Sequence, residues 1–189
     1  TICRRAARRR AAQRGCRVAI QGLGAVGWHL AEFLHQAGAK LVVADIDAAK
    51  TAKAQAQFGA EVVTVEQILA APCEVLAPCA LGASLNAASI PTLQAQLICG
   101  AANNQLALPH DGDELAKRGI TYLPDYLVNA GGIISVAREY RGEGEEGAVM
   151  AEVSRIAERV QELLQRIKSS GRTPAAEADA WAQSLLVKP

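Results

Sequence analysis

The sequence is poor in aromatic residues and has no long hydrophobic run. Phe, Trp and Tyr make up 4% of its 189 residues, although half of all residues are hydrophobic. No apolar run reaches the roughly 18 residues needed to span a bilayer. The composition is that of a soluble globular domain, and nothing in it supports a membrane role.

The five cysteines form no CxxC pair and are odd in number. A disulfide framework or a zinc site would be expected to show paired cysteines at short spacing. The pattern therefore favours reduced, buried thiols, no metal and a cytoplasmic protein. The residues concerned are Cys3, Cys16, Cys73, Cys79 and Cys99.

Excess positive charge is confined to the N-terminus. Residues 1–17 hold seven arginines and no acid, whereas the remaining 172 residues carry 13 basic and 19 acidic side chains. No aromatic residue is interleaved with the arginines, which argues against nucleic-acid binding. A strand pattern follows at once and the chain opens without Met, so we expect residues 1–16 to be a tail or remnant rather than a transit peptide.

Strand and helix patterns alternate from Arg17 to about Tyr140. A helix over residues 26–37 ends at Gly38, and residues 65–71, 87–93 and 112–118 are interpreted as crossover helices. The pattern predicts an α/β fold of the Rossmann type, a doubly wound and mostly parallel sheet. Short apolar runs without alternation are typical of strands buried on both faces, and they lie at residues 18–21, 41–44, 61–63, 75–77, 97–99 and 120–123.

After Gly144 the pattern is purely helical. One long helix is predicted over residues 145–169 and a last one from Pro174 to about Leu186. We therefore expect an Arg-rich tail at 1–16, a Rossmann domain at 17–143 and a C-terminal helical extension at 144–189. The long helix is expected to leave its apolar face partly uncovered, which predicts self-association into a homo-oligomer.

The turn between the first strand and the first helix reads GLGAVG. Gly22 permits the tight turn, Gly24 leaves room for a pyrophosphate, and Gly27 lets the helix pack close to the strand. Asp45 follows Gly27 by 18 residues at the end of the second strand, where it can bind a ribose diol and repel a 2′-phosphate. With the positive end of the helix dipole nearby, the segment predicts a dinucleotide site that favours NAD over NADP. A glycine-rich turn without a ligand is the alternative.

Three further turns follow the carboxyl ends of later strands: APCALG, GAANNQ and PDYLVNAGG. Open α/β sheets bind ligands at this edge. Asn103, Asn104 and Asn129 offer amides to a carboxamide or a ribose hydroxyl, or else cap their own loops. The pair Gly131 and Gly132 predicts a second close helix N-terminus.

The motifs GLGAVG, VVADID, APCALG, GAANNQL and PDYLVNAGGIISVA, in this order and spacing, resemble the cofactor-binding half of the leucine, phenylalanine and valine dehydrogenases of the glutamate dehydrogenase superfamily. The resemblance runs from Arg17 to about Leu186. It implies oxidative deamination of an L-amino acid to its 2-oxo acid, with release of ammonia and hydride transfer to NAD.

The resemblance also implies site residues. It places the pyrophosphate at the glycine turn, the adenosine ribose at Asp45, the nicotinamide end near Cys79, Ala80 and Asn103, and Asn129 toward the catalytic cleft. The predicted NAD-binding residues are Gly22, Leu23, Gly24, Ala25, Val26, Gly27, Asp45, Ile46, Cys79, Ala80, Leu81, Asn103 and Asn129.

The predicted substrate pocket contains Ile133 and Val136. Glutamate dehydrogenases typically carry a serine at the position of Val136, where it meets the distal carboxylate of the substrate. A carboxylate against two aliphatic side chains would lose several kcal/mol of solvation without compensation. We therefore expect an apolar L-amino acid of the leucine, valine or phenylalanine kind.

The sequence departs from the family in its acid–base groups. Family members carry catalytic lysines in a GGGK-type segment, and a catalytic aspartate, in an N-terminal domain. Deprotonating the amine and hydrating the imine require such groups, so we expect that the catalytic domain is absent and that this chain binds NAD without turnover. A stand-alone, non-catalytic dinucleotide-binding module is the alternative. No GGGK-type segment surrounds Lys40, Lys50, Lys53, Lys117, Lys168 or Lys188, and structural roles are expected for His29, His35 and His110.

Overall fold

The computed structural model describes residues 15–186, and the expectations for the Arg-rich tail, Cys3 and Lys188 fall outside these residues. Six strands form one parallel sheet in the order β3-β2-β1-β4-β5-β6. All six predicted strands are present, and the predicted α/β Rossmann-type fold is confirmed. The strands are β1 (Arg17–Gln21), β2 (Lys40–Ala44), β3 (Glu61–Val62), β4 (Val75–Pro78), β5 (Leu97–Ile98) and β6 (Thr121–Tyr122).

Helices cover both faces of the sheet and continue after its last strand. They are α1 (Ala25–Gln36), α2 (Ala48–Phe58), α3 (Asp111–Lys117), α4 (Asp125–Val128), α5 (Gly131–Tyr140), α6 (Glu146–Ser154), α7 (Ile156–Ser170) and α8 (Pro174–Leu186). Helix α1 ends as predicted at Gly38, which has a φ of +83°. The next amide, of Ala39, donates to the carbonyl of Leu34 at 3.0 Å, which satisfies a terminal helix carbonyl. Within residues 15–186, no helix is both long and apolar enough to cross a membrane.

Two of the predicted crossover helices are wrong. Residues 65–71 and 87–93 contain only short 3-10 turns, at Ile68–Ala70 and Ile90–Thr92. Proline limits both segments: Pro72 restricts the residue before it to an extended conformation, and Pro91 removes a backbone donor.

Helix α2 was not predicted from the sequence. Its segment is rich in alanine, and only Thr51 and Ala54 are buried, so large apolar residues give no helical period. Local signals nevertheless define both ends. The carboxylate of Asp47 caps the first turn by accepting from the amide of Ala49 at 2.9 Å, and Gly59 ends the helix with a φ of +62°.

The single long helix predicted over residues 145–169 is also wrong, because the chain forms α6 and α7 with a break at Arg155. Neither proline nor glycine lies near the break, and we have no local explanation for it. The apolar face of the α7 half is covered, since Ile156 and Leu163 are buried in a cluster with Cys99 and Leu123. The α6 half has no buried residue, and Met150 is 54% exposed, which agrees with the expected partly uncovered face.

The core lies on both faces of the sheet because successive strand residues point to opposite sides. On one face, Val18 and Ile20 pack with Leu34 of α1. On the other, Ala19 packs in a cluster with Ile68 of the first 3-10 turn. The strands are therefore held from both sides, and their carboxyl ends form one fixed edge.

We expect Leu163→Ala to destabilise the fold and Leu164→Ala to leave it nearly intact. Leu163 is 0% exposed and its neighbour Leu164 is 37% exposed. Removing a fully buried leucine costs about 2–5 kcal/mol, whereas an exposed substitution costs less than about 1 kcal/mol. Urea unfolding measures both. Equal losses in the two variants would contradict the placement of α7 against the sheet.

Candidate functional site

The turns predicted to bind a ligand lie side by side at the carboxyl edge of the sheet. Strands β1 and β4 are distant in the chain but adjacent in the sheet, with Gln21 paired to Pro78. The strand order reverses direction here, and such a switch point is the usual ligand crevice of an open α/β sheet.

Two glycines of the GLGAVG turn are required by the fold itself. Gly22 has a φ of +95°, and a Cβ atom there would lie 2.8 Å from the Cβ of Ala80. A Cβ at Gly27 would overlap the carbonyl oxygen of Gly22 and approach the Cβ of Cys79 to 3.3 Å. Side chains at these positions would separate α1 from the turn and from the end of β4.

Gly24 is different, because nothing in the described chain lies within 4 Å of a Cβ placed there. Its φ of −65° suits any residue, so backbone strain does not explain the glycine. It is the N-cap of α1, and among the described residues no side chain caps this helix. The exposed first turn, with Ala25 and Val26, therefore leaves space and amide donors for an anionic group such as a pyrophosphate.

Asp45 connects the end of β2 to the glycine turn. One carboxylate oxygen accepts from the amide of Leu23 at 2.5 Å, and the other accepts from the amide of Asp47 at 2.9 Å. Each oxygen keeps a second lone pair that a ribose hydroxyl can use. The next residue, Ile46, is 94% exposed.

The turns after β4 and β5 pack backbone against backbone. A Cβ at Gly82 would lie 2.6 Å from the carbonyl oxygen of Asn103 and 2.8 Å from that of Asn104. Within the first of these turns Cys79 is half-buried, whereas Ala80 and Leu81 are exposed. The two turns therefore hold each other in place.

Asn103 and Asn129, predicted as separate site residues, are in contact. The side-chain amide of Asn129 donates to the carbonyl of Ala101 at 2.8 Å and to the side-chain oxygen of Asn103 at 2.9 Å. Asn129 lies at the end of α4 and so links the turn after β6 to the turn after β5.

Asp125, which was not among the predicted residues, connects to the turn after β5. It is the first residue of α4, and its carboxylate accepts from the amide of Asn104 at 2.8 Å and from the hydroxyl of Tyr122 at 3.0 Å. The sequence PDYLVN contained a signal, because Asp125 and Asn129 are four residues apart and share one face of a helical turn.

The two residues predicted to contact the substrate are exposed on α5. Ile133 is 67% exposed and Val136 is 60% exposed, and their spacing of three places them on one face. Their neighbour Ile134 packs against the core. The α5 face is thus an aliphatic surface directly after the Asn129 turn.

The thiols and imidazoles are placed outside this arrangement, with Cys79 the exception. Cys16 and Cys99 are buried, and burial raises the pKa of the Cys73 thiol to about 11. His29, His35 and His110 are exposed. Among residues 15–186 no three His, Cys, Asp or Glu side chains are grouped as metal ligands would be.

Comparisons with known proteins converge on one family. The family model for glutamate/leucine/phenylalanine/valine dehydrogenase matches residues 43–183. Leucine dehydrogenase of Geobacillus stearothermophilus is 41% identical over 169 residues, which are 89% of this chain and 46% of that protein. Valine dehydrogenase of Streptomyces virginiae is 40% identical over 92% of this chain and 49% of its own length.

A solved structure agrees. The crystal structure of L-tryptophan dehydrogenase from Nostoc punctiforme superposes with a TM-score of 0.89 at 39% identity, covering 97% of this chain and 56% of that one. The chain spans about half the length of the curated relatives it matches.

We expect Gly27→Ala to destabilise the fold by about 3 kcal/mol, because the added methyl group overlaps backbone that cannot move freely. Gly24→Ala should cost less than about 1 kcal/mol, since its Cβ meets no protein atom and only the N-cap preference is lost. Urea unfolding of both variants tests this difference. A stable Gly27→Ala protein would contradict the close contact of α1 with the turn.

Proposed function

This chain belongs to the glutamate/leucine/phenylalanine/valine dehydrogenase family, and we propose that it is the NAD-binding part of an amino acid dehydrogenase. The observation that carries the proposal is the open position at Gly24. A turn with that space at a helix N-terminus, next to an acidic residue at the end of β2, matches the chemistry of a dinucleotide.

In the proposed complex, the pyrophosphate binds the amides of the first turn of α1 at Gly24, Ala25 and Val26. The Asp45 carboxylate accepts hydrogen bonds from the adenosine ribose while it keeps its bond to the Leu23 amide. The nicotinamide end extends across the switch point toward the turns after β4 and β5. Bound there, NAD supplies the hydride acceptor for oxidation of a C–N bond.

The reaction we propose is oxidative deamination of an apolar L-amino acid to its 2-oxo acid and ammonia. Ile133 and Val136 offer an aliphatic surface beyond the nicotinamide end, and their side chains provide no hydrogen-bond donor for a distal carboxylate. Relatives named for leucine, valine and tryptophan support an apolar side chain. Self-association through the apolar face of the helical segment 145–169 stays a prediction.

We further propose that the 189 residues bind NAD without turning it over. The side chains proposed near the nicotinamide end are carboxamides, a thiol and an aliphatic group, and none of the lysines lies in a GGGK-type segment. Proton transfer from the substrate ammonium needs a positioned acid–base group, which in this proposal is contributed from outside these residues.

Titration with NADH should quench the fluorescence of Trp28, which directly follows Gly27 on α1. Gly24→Val should weaken NADH binding about 100-fold or more, because the side chain fills the phosphate position and removes charge-assisted hydrogen bonds. Gly147→Val is the matched control, since a Cβ on this α6 residue also meets no atom within 4 Å. Absence of NADH binding to the parent chain would refute the cofactor assignment.

The parent chain should bind NADH at least about tenfold more tightly than NADPH, because the Asp45 carboxylate repels the 2′-phosphate. In Asp45→Ala, the affinities for NADH and NADPH should become more nearly equal, because the repelling carboxylate is removed. Asp47→Ala removes the same charge two residues away, but its carboxylate caps α2 instead, so the ratio should stay near that of the parent. Calorimetric titration of both cofactors gives the ratios, and a parent ratio near one would contradict the role of Asp45.

The purified chain, supplied with NAD and L-leucine, L-valine or L-phenylalanine, should produce no NADH above the level of a protein-free control. The expected reason is that the general base for the substrate ammonium is, in this proposal, contributed from outside these residues. NADH absorbance measures the outcome. Turnover that is retained on repurification and lost in Gly24→Val would overturn the proposal that the chain is inactive by itself.

A further inference from the structure

A short relay of hydrogen bonds links the buried end of β6 to the turn that follows β5. The hydroxyl of Tyr122 donates to one carboxylate oxygen of Asp125 at 3.0 Å, and the backbone amide of Asn104 donates to the other at 2.8 Å. One side chain thus joins a strand residue of the core to an exposed loop.

The Tyr122 end of this relay is rigid. Its side chain belongs to the core cluster with Ile98 and Leu115. Burial, together with the nearby Asp125 carboxylate, raises the pKa of the Tyr122 phenol well above its ordinary value. The phenol is therefore a protonated donor at neutral pH, and it orients the carboxylate from the side of the protein interior.

The Asn104 end of the relay is a turn with an uncommon backbone conformation. Asn104 and Ala83 both have positive φ, 51° and 56°, which few residues other than glycine adopt without support from their surroundings. The carbonyl of Asn104 accepts from the amide of Ala83 at 2.7 Å, and the same carbonyl lies against Gly82. A constraint on Asn104 is therefore transmitted to the turn after β4.

We propose that Asp125 is a positioning residue for the nicotinamide end of the cofactor, acting through Asn104 on the turns that carry Asn103 and Cys79. It differs from Asn129, which contacts the same loop from the other end of α4. The proposal rests on the proposed function, because it takes the turns after β4 and β5 to face the nicotinamide. Asp125 itself does not need to touch the cofactor.

The proposal distinguishes the two halves of the ligand. ADP-ribose contains the adenosine, the pyrophosphate and the second ribose but lacks the nicotinamide. The affinity for ADP-ribose should depend on Gly24 and Asp45 and should not change when the turn after β5 is altered. The affinity for NADH should depend on both regions, so that a change at Asp125 alters the affinity for NADH and leaves the affinity for ADP-ribose unchanged.

Calorimetric titrations of NADH and ADP-ribose into the parent, Asp125→Ala and Asp125→Asn chains test this. Asp125→Ala should weaken NADH binding about tenfold, the scale of a lost hydrogen bond to a charged group. The same variant should change the affinity for ADP-ribose less than about twofold. Asp125→Asn should restore NADH affinity, because its amide oxygen accepts from Asn104 and its amide nitrogen can donate to the Tyr122 hydroxyl.

Asp179→Ala is the matched control. The Asp179 carboxylate also accepts from a tyrosine hydroxyl, that of Tyr126 at 2.6 Å, but it lies on α8, outside the relay from Tyr122 to Asn104. Both affinities should stay at the parent values in this variant. A loss of NADH affinity equal to that of Asp125→Ala would overturn the specific role of Asp125.

Tyr122→Phe keeps the inference testable if Asp125→Ala does not fold. Tyr122→Phe should reduce the affinity for NADH about threefold without changing the affinity for ADP-ribose, whereas Tyr126→Phe should change neither affinity. An unchanged ratio of the two affinities in Tyr122→Phe, or equal losses for both ligands in Asp125→Ala, overturns the inference. Failure of the parent to bind both ligands refutes the proposed function instead.

Discussion

The close approach of helix α1 to the glycine turn is the contact on which the rest of the site depends. No side chain can be accommodated between Gly27 and the carbonyl of Gly22, so the N-terminus of α1 lies directly above the end of β1. Because β1 is the central strand between β2 and β4, this contact also sets the positions of Asp45 and Ala80 relative to the helix. The space left at Gly24 is a consequence of that packing.

Carboxylates stabilise the turns of this edge from neighbouring strands. Asp45 at the end of β2 accepts from the turn after β1, and Asp125, the first residue of α4 after β6, accepts from the turn after β5. A charged acceptor forms stronger hydrogen bonds to backbone amides than a neutral one does. The turns therefore keep defined shapes although their exposed residues are largely glycine, alanine and small polar residues, which contribute little packing.

Most strands could be predicted from the sequence because they are short apolar runs buried on both faces. Strand β3 is the exception, since Glu61 and Val62 are both exposed. Helix α2 could not, since its alanines form a face without large side chains and only its caps, Asp47 and Gly59, mark it. The 3-10 turns around Ile68 and Ile90 show the opposite case: apolar residues at helical spacing were present without a regular helix. Pro72 holds Ala71 extended at the end of the first segment, and Pro91 removes a backbone donor within the second. The break between α6 and α7 has no local signal.

At the carboxyl edge of the sheet, the glycine turn, the acidic residue after β2 and the amides of Asn103 and Asn129 could be found from the residues alone, because they depend on local spacing and on the common edge of a parallel sheet. The folded chain was needed to distinguish Gly22 and Gly27, which are required for packing, from Gly24, which is open. It also revealed that Asp125 reaches Asn104 from the neighbouring turn. Such contacts join residues about twenty positions apart, and a single sequence contains no measure of that distance.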